Sequence, residues 1–226
     1  MSMPFYVPPE QLVKDRADFA RKGVARGKPI VVAAIDDGIL LVSENSSPSL
    51  RKIGEVYDRI AFAGVGRFNE FETLRVAGVR YADLKGYSYA RSDVTAKGLA
   101  NAYSQTLGQI FSHEVKPYEV DVLVAELGAT LDDDKLFRIQ FDGTLADADG
   151  LTVLGAREEG ITHALSEAVA SDTPMPVVFA AACDAIERAA DREIASGAWE
   201  TGFLERTDTR RTFRRLTLAE MTAARE

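Results

Sequence analysis

A single cysteine, Cys183, cannot close an intrachain disulfide, so no disulfide framework is expected. Only two histidines occur, His113 and His163, and neither has a cysteine or a suitably spaced carboxylate that would suggest a metal site. No apolar run approaches the roughly 18–20 residues needed to cross a bilayer. The opening MSMPFYVPPEQLVKDR lacks a basic start followed by an apolar stretch, so no secretory signal is expected. Positive charge is also in deficit. Against 35 Asp and Glu stand 27 Lys and Arg, a net charge of -8, whereas phosphate neutralisation needs a basic face. Together these absences argue against a nucleic-acid partner and a membrane partner, and they place the chain in the cytoplasm.

Local chemistry is sparse as well. Gly64-Val65-Gly66 is followed by no lysine-hydroxyl pair and is not a phosphate loop. Asp132-Asp133-Asp134 reads as a solvated acidic turn, and Cys183, among Ala and Val in a helix, reads as an inert buried thiol. Neither a cofactor nor a metal is implied.

What is present is a core. Of the 226 residues, 46% are hydrophobic, enough for one domain with a substantial interior, although two small domains would fit the length. No internal repeat and no linker-like break in composition appears, so a single domain over 10–226 is expected, preceded by a tail at 1–9. Pro4, Pro8 and Pro9 flank Phe5, Tyr6 and Val7, and proline keeps such a segment extended or irregular. Glu10 to Arg26 reads as an amphipathic helix, with Leu12, Val13, Ala17, Ala20 and Val24 at near-helical spacing. Gly23 weakens its end and Gly27 is a plausible stop.

Two apolar strands follow, 29–35 and 38–44, joined through an Asp37-Gly38 turn, and their composition implies a sheet covered on both faces. IGEVYDRIAFAGVG predicts another strand pair, then helices over 68–84 and from about 93 to 113. Strands are expected at 120–127, 135–142 and 151–156, helices at 159–170 and 174–195, and an extended pair near 200–207 and 212–216. The stretch from Ser196 to Arg211 is polar and carries no assigned role, and residues 217–226 read as a polar tail. This order fits an α+β fold: a four-layer αββα sandwich of two antiparallel sheets flanked by helices, with an extra N-terminal helix.

With SLRKIGEVYDRIAFAGVGRFNEFETLR, KGYSYARSDVTAKGLANAYSQTLGQIF and the opening PFYVPPEQLVKDRADFARKGVARGK, the chain resembles alpha-type proteasome subunits of actinobacteria, in the N-terminal nucleophile hydrolase superfamily. The resemblance runs over nearly the whole chain and weakens after about residue 190. Catalytic members begin their first strand with a threonine whose own amino group serves as base. Here Lys28 precedes that strand and the first threonine of the chain is Thr73, in a helix, so the nucleophile is absent.

In alpha subunits the segment before the first strand crosses the top of the core and closes the axial pore. The resemblance therefore implies a gate at Pro4, Phe5, Tyr6, Val7, Pro8 and Pro9 and a crossing helix over 10–26. It also implies that Lys52 lines a pocket between neighbouring subunits, where its ammonium pairs with the C-terminal carboxylate of a hexameric proteasomal ATPase. Arg26 and Lys28 could add charge there. Residues 14–28 hold six basic side chains against two acidic ones, a surplus that suits an anionic tail but equally suits salt bridges to the next subunit. Tyr57-Asp58-Arg59, Lys116-Pro117-Tyr118, Arg91, Tyr87 and Tyr89 read as fold and interface residues.

The implied partners are other alpha subunits in a seven-membered ring, catalytic beta subunits, the ATPase, and protein substrates marked by the prokaryotic ubiquitin-like modifier. Two rival readings remain at this level: a catalytic beta-type peptidase, and a stand-alone scaffold of the same fold.

Overall fold

The structure is a computed structural model that describes residues 8–226. Pro4, Phe5, Tyr6 and Val7 of the expected gate lie outside the described residues, and Pro8 and Pro9 lie at their edge. Helix α1 spans Pro9–Val24, with proline at its first position where the missing amide is least costly. Strands β1 (Ile30–Ile35), β2 (Gly38–Glu44), β3 (Ile53–Tyr57) and β4 (Ile60–Gly66) follow, then α2 (Phe68–Ser88) and α3 (Ala96–His113). Next come β5 (Val120–Glu126), β6 (Lys135–Ile139), β7 (Leu145–Asp147) and β8 (Leu151–Leu154). Helices α4 (Glu158–Ser166) and α5 (Met175–Ala190), strands β9 (Trp199–Glu205) and β10 (Phe213–Arg214), and helix α6 (Leu218–Ala223) complete the chain.

Two antiparallel five-stranded sheets result, ordered β10-β9-β2-β1-β8 and β3-β4-β5-β6-β7. Three apolar layers hold them. Ile30, Val32, Ile39, Leu41, Leu123 and Leu204 meet between the sheets. Phe179, Cys183, Ile186 and Phe203 pack α4–α6 on the first sheet, and Phe62, Leu99, Tyr103 and Leu107 pack α2 and α3 on the second. Because β1 and β2 face a layer on each side, nearly every one of their residues is buried, as their unbroken apolar sequence requires. The expected αββα sandwich is what forms.

Several sequence expectations are corrected. The tail after residue 216 is a helix: Thr217 and Glu220 form a capping box, Met221 is buried, and Arg225 pairs with Glu187 at 2.6 Å. The stretch from Ser196 to Arg211 is polar only in part: the strand expected near 200–207 forms as β9, all but one of whose residues are buried beside β2. Strand β7 was not expected, because three residues are too short to show a period. The acidic turn is not simply solvated, since Asp134 is held by Arg206 at 2.9 Å and Asp133 caps a short 3-10 turn through Thr130. Cys183 is fully buried, and burial pushes its thiol up to about 12, as expected of an inert residue.

Two glycines fix how α1 meets the body. At Gly23 a Cβ would run into the Glu119 side chain, so the residue that weakens the helix also lets it lie close to the β4–β5 edge. Gly66, at φ +110, ends β4 with its α-carbon against the Glu119 carbonyl. Gly66→Ala combines that clash with a forbidden backbone angle and is expected to cost about 3 kcal/mol, read as a lower unfolding midpoint in denaturant.

Candidate functional site: a basic cleft behind the first strand

The start of β1, the end of β2 and the C-terminal end of α5 converge on a cleft of about 250 Å³. Arg26, Lys28, Arg157 and Arg192 supply its cations and Glu44 its carboxylate, while Pro29, Ile186 and Ala189 form part of an apolar wall. Helix α5 ends at Asp191, in a left-handed conformation (φ 54) that aspartate tolerates, and this turn brings Arg192 back toward β2. Arg192 Nη2 donates to both oxygens of Glu44 at 2.6 Å, and Lys28 Nζ approaches Glu44 Oε2 at 3.2 Å. Burial pushes the Glu44 carboxyl up, but the hydrogen bonds from Arg192 and Lys28 outweigh it and hold it below the usual carboxylate range.

Lys52 is not a wall residue of this cleft. Its ammonium lies next to it, on the main-chain oxygens of two residues that are: Glu44 at 3.2 Å and Lys28 at 3.5 Å, with Ser43 Oγ at 3.4 Å. Burial pulls its pKa down to about 8, with Glu200 and Glu44 opposing that shift and Lys28 adding to it. Of the three basic residues singled out in the sequence, Arg26 and Lys28 therefore line one cleft, and Lys52 meets Lys28 through its main-chain oxygen.

Sequence reasoning missed the group that positions Lys52. Glu200, on β9, is 1% exposed. Its carboxylate accepts from the amides of Lys52 and Ile53 at 3.1 Å, from Asn45 Nδ2 at 2.5 Å and from Arg215 Nη1 at 3.3 Å. Arg215 in turn donates to the carbonyls of Ile53 and Thr201 at 2.7 and 3.0 Å. Strand β9 belongs to the first sheet and β3 to the second, so this pair ties the sheets together where β3 begins. A signal existed: in WETGFLE the alternation puts Glu200 on the same face as Gly202 and Leu204, an unusual place for a charge.

Of the remaining expected residues, Arg91, Arg59 and Lys116 serve the frame. Arg91 makes a two-point pair with Asp58 at 2.8 and 2.9 Å, Arg59 donates to the carbonyls of Leu127 and Gly128, and Lys116 reaches Glu70 at 2.6 Å. Tyr87 and Tyr89 are 92% and 79% exposed. His113 and His163 lie at the surface, and no group of three or more potential metal ligands exists among the described residues. No described helix is long and apolar enough to span a membrane.

Two antiparallel sheets lie sandwiched between helices, with Lys52 just before β3 and no threonine ahead of β1 in the sequence. The family model described as Proteasome subunit matches residues 24–200. The chain is 54% identical to a protein of Kineococcus radiotolerans named Proteasome subunit alpha, across 96% of this chain and 94% of the relative. A protein of the same name from Xylanimonas cellulosilytica is 51% identical across 100% and 96%, and one from Sanguibacter keddieii is 53% identical across 96% and 86%. The chain belongs to the proteasome subunit family, and its likeness is to the alpha type.

Proposed function

We propose that this alpha-type proteasome subunit is non-catalytic, forms the outer seven-membered rings of the core, and stacks on rings of catalytic, threonine-type beta subunits. In the cytoplasm it would restrict entry through residues 1–9, a gating tail ahead of the domain at 10–226, and receive the C-termini of a hexameric ATPase. Substrates would be proteins tagged by the ubiquitin-like modifier of these bacteria. The observation that carries the reading is the placement of Lys52. A catalytic subunit keeps its essential lysine at this strand start, yet here no threonine precedes β1, and the ammonium stands beside a cleft with four further cations and one carboxylate.

Recognition of a terminal carboxylate by such a cluster follows from charge-assisted hydrogen bonding in a partly dry site. The exposed faces fit an assembled life: Leu12, Val13 and Phe19 are about half exposed on α1, and Leu84, Tyr87 and Tyr89 stand out at the end of α2. Unpartnered apolar and aromatic side chains of this kind mark surfaces that neighbouring subunits cover.

Co-expression with the cognate beta subunit is expected to give a large particle in which this chain carries no peptidase activity. Deleting residues 1–9 should raise its hydrolysis of short peptides several-fold. Failure to co-assemble, peptidase activity from this chain alone, or an unchanged rate after the deletion would each count against the gating ring.

A further inference from the structure

The basic cleft already contains an anion of its own. Glu44, the sole carboxylate among the wall residues, is 12% exposed in its side chain and takes up both nearest cations, Lys28 and Arg192. Those cations remain half open to solvent, at 51% and 44%. Arg26 and Arg157, the other two, form no ion pair among the described residues. Four cations against one carboxylate leave the cleft short of negative charge, and its volume suits the end of a peptide better than a folded surface.

Resting on the docking reading above, we propose that Glu44 is an intramolecular stand-in for the carboxylate this cleft receives. Lys28 and Arg192 are the pair it gives up to the incoming chain end. The occupant is the free C-terminus of an extended peptide whose last side chain is aliphatic, since Pro29, Ile186 and Ala189 offer that residue an apolar wall. Its carboxylate displaces Glu44 from Arg192, whose single nitrogen at 2.6 Å from both Glu44 oxygens already holds the geometry of a terminal carboxylate. Occupancy is thereby set by competition. Glu44 keeps the cations arranged while the cleft is empty and weakens any ligand that lacks a full negative charge at its end.

The assembled core particle is titrated with a dye-labelled hexapeptide ending in leucine with a free carboxylate, and with its C-terminally amidated twin, by fluorescence anisotropy. The free acid is expected to bind and the amide to bind at least about tenfold more weakly. Glu44→Gln, which keeps the shape and removes the competing charge, should tighten the free acid by roughly fivefold. Arg192→Ala should weaken it about tenfold, with Arg192→Lys recovering part of the loss because it restores the charge on a more strongly hydrated head. Arg188→Ala, which removes an exposed charge from α5 outside the cleft, should leave affinity unchanged.

If the free acid binds and Lys52→Ala weakens it, while Glu44→Gln and Arg192→Lys both behave as wild type, the stand-in idea fails and the docking reading survives. Absence of binding to the wild-type particle overturns both. Equal binding of acid and amide overturns carboxylate recognition itself. Should Arg192→Ala not assemble, Glu44→Gln and Arg192→Lys decide the question.

Discussion

Glu200→Ala is expected to lower the thermal unfolding midpoint by roughly 10 °C, the largest stability effect of any polar substitution near the site. The carboxylate is buried and satisfies the amides of Lys52 and Ile53, Asn45 and Arg215 at once. Truncating it leaves amides without acceptors and the Arg215 guanidinium, 35% exposed, without its counter-charge. Removing one partner of such a group costs about 3–5 kcal/mol, and a chain of this size shifts by about 2–4 °C per kcal/mol. Glu200→Gln keeps one acceptor oxygen and should lose less than half as much. A midpoint unchanged in Glu200→Ala would mean that the two sheets are not tied at the start of β3. Calorimetry on the isolated chain decides it.

Lys52→Ala is expected to reduce ATPase-stimulated peptide hydrolysis by the assembled particle tenfold or more, with particle mass unchanged. The lost contact is a charge-assisted hydrogen bond to a carboxylate, worth about 1.5–3 kcal/mol. The same ammonium predicts a pH profile. Its pKa lies near 8 against an ordinary 10.5, so the charge is present below about pH 8 and lost above it, while terminal carboxylates stay ionised throughout. Stimulation should fall as pH rises from 7 to 9, and Lys52→Arg, charged across that range, should flatten the fall.

Unfolding would not explain such a loss. A lysine whose folded pKa is depressed binds fewer protons in the native than in the unfolded state between about pH 8 and 10.5, so its own contribution makes the fold more stable as pH rises through that window. A flat profile for wild type would remove Lys52 from docking.

Strong periodicity made the frame legible. Strands β1 and β2 were readable because their continuous apolar sequence can only be buried on both faces, and α2, α3 and α5 because long stripes at helical spacing outlast errors at their ends. The shortest elements were harder to read: β7, with three residues, was not expected, whereas the two-residue β10 falls inside the extended segment expected near 212–216. Helix α6 could have been found from Thr217 and Glu220, a capping signature three residues apart. Within the site, Arg26, Lys28 and Lys52 were named from the resemblance and local charge, whereas Glu44, Arg157, Arg192 and Glu200 were not.

The sequence by itself determined the layers, through the spacing of its apolar residues, and it carries no threonine ahead of Thr73. Only the tertiary structure decided which charges meet. Arg192 reaches Glu44 across 148 positions, and Glu200 reaches the Lys52 amide across another 148, through strand order and a left-handed turn at Asp191. Burial is a property of the packed chain. A lysine with an ordinary pKa in the extended polymer becomes one near 8 only when two sheets close around it.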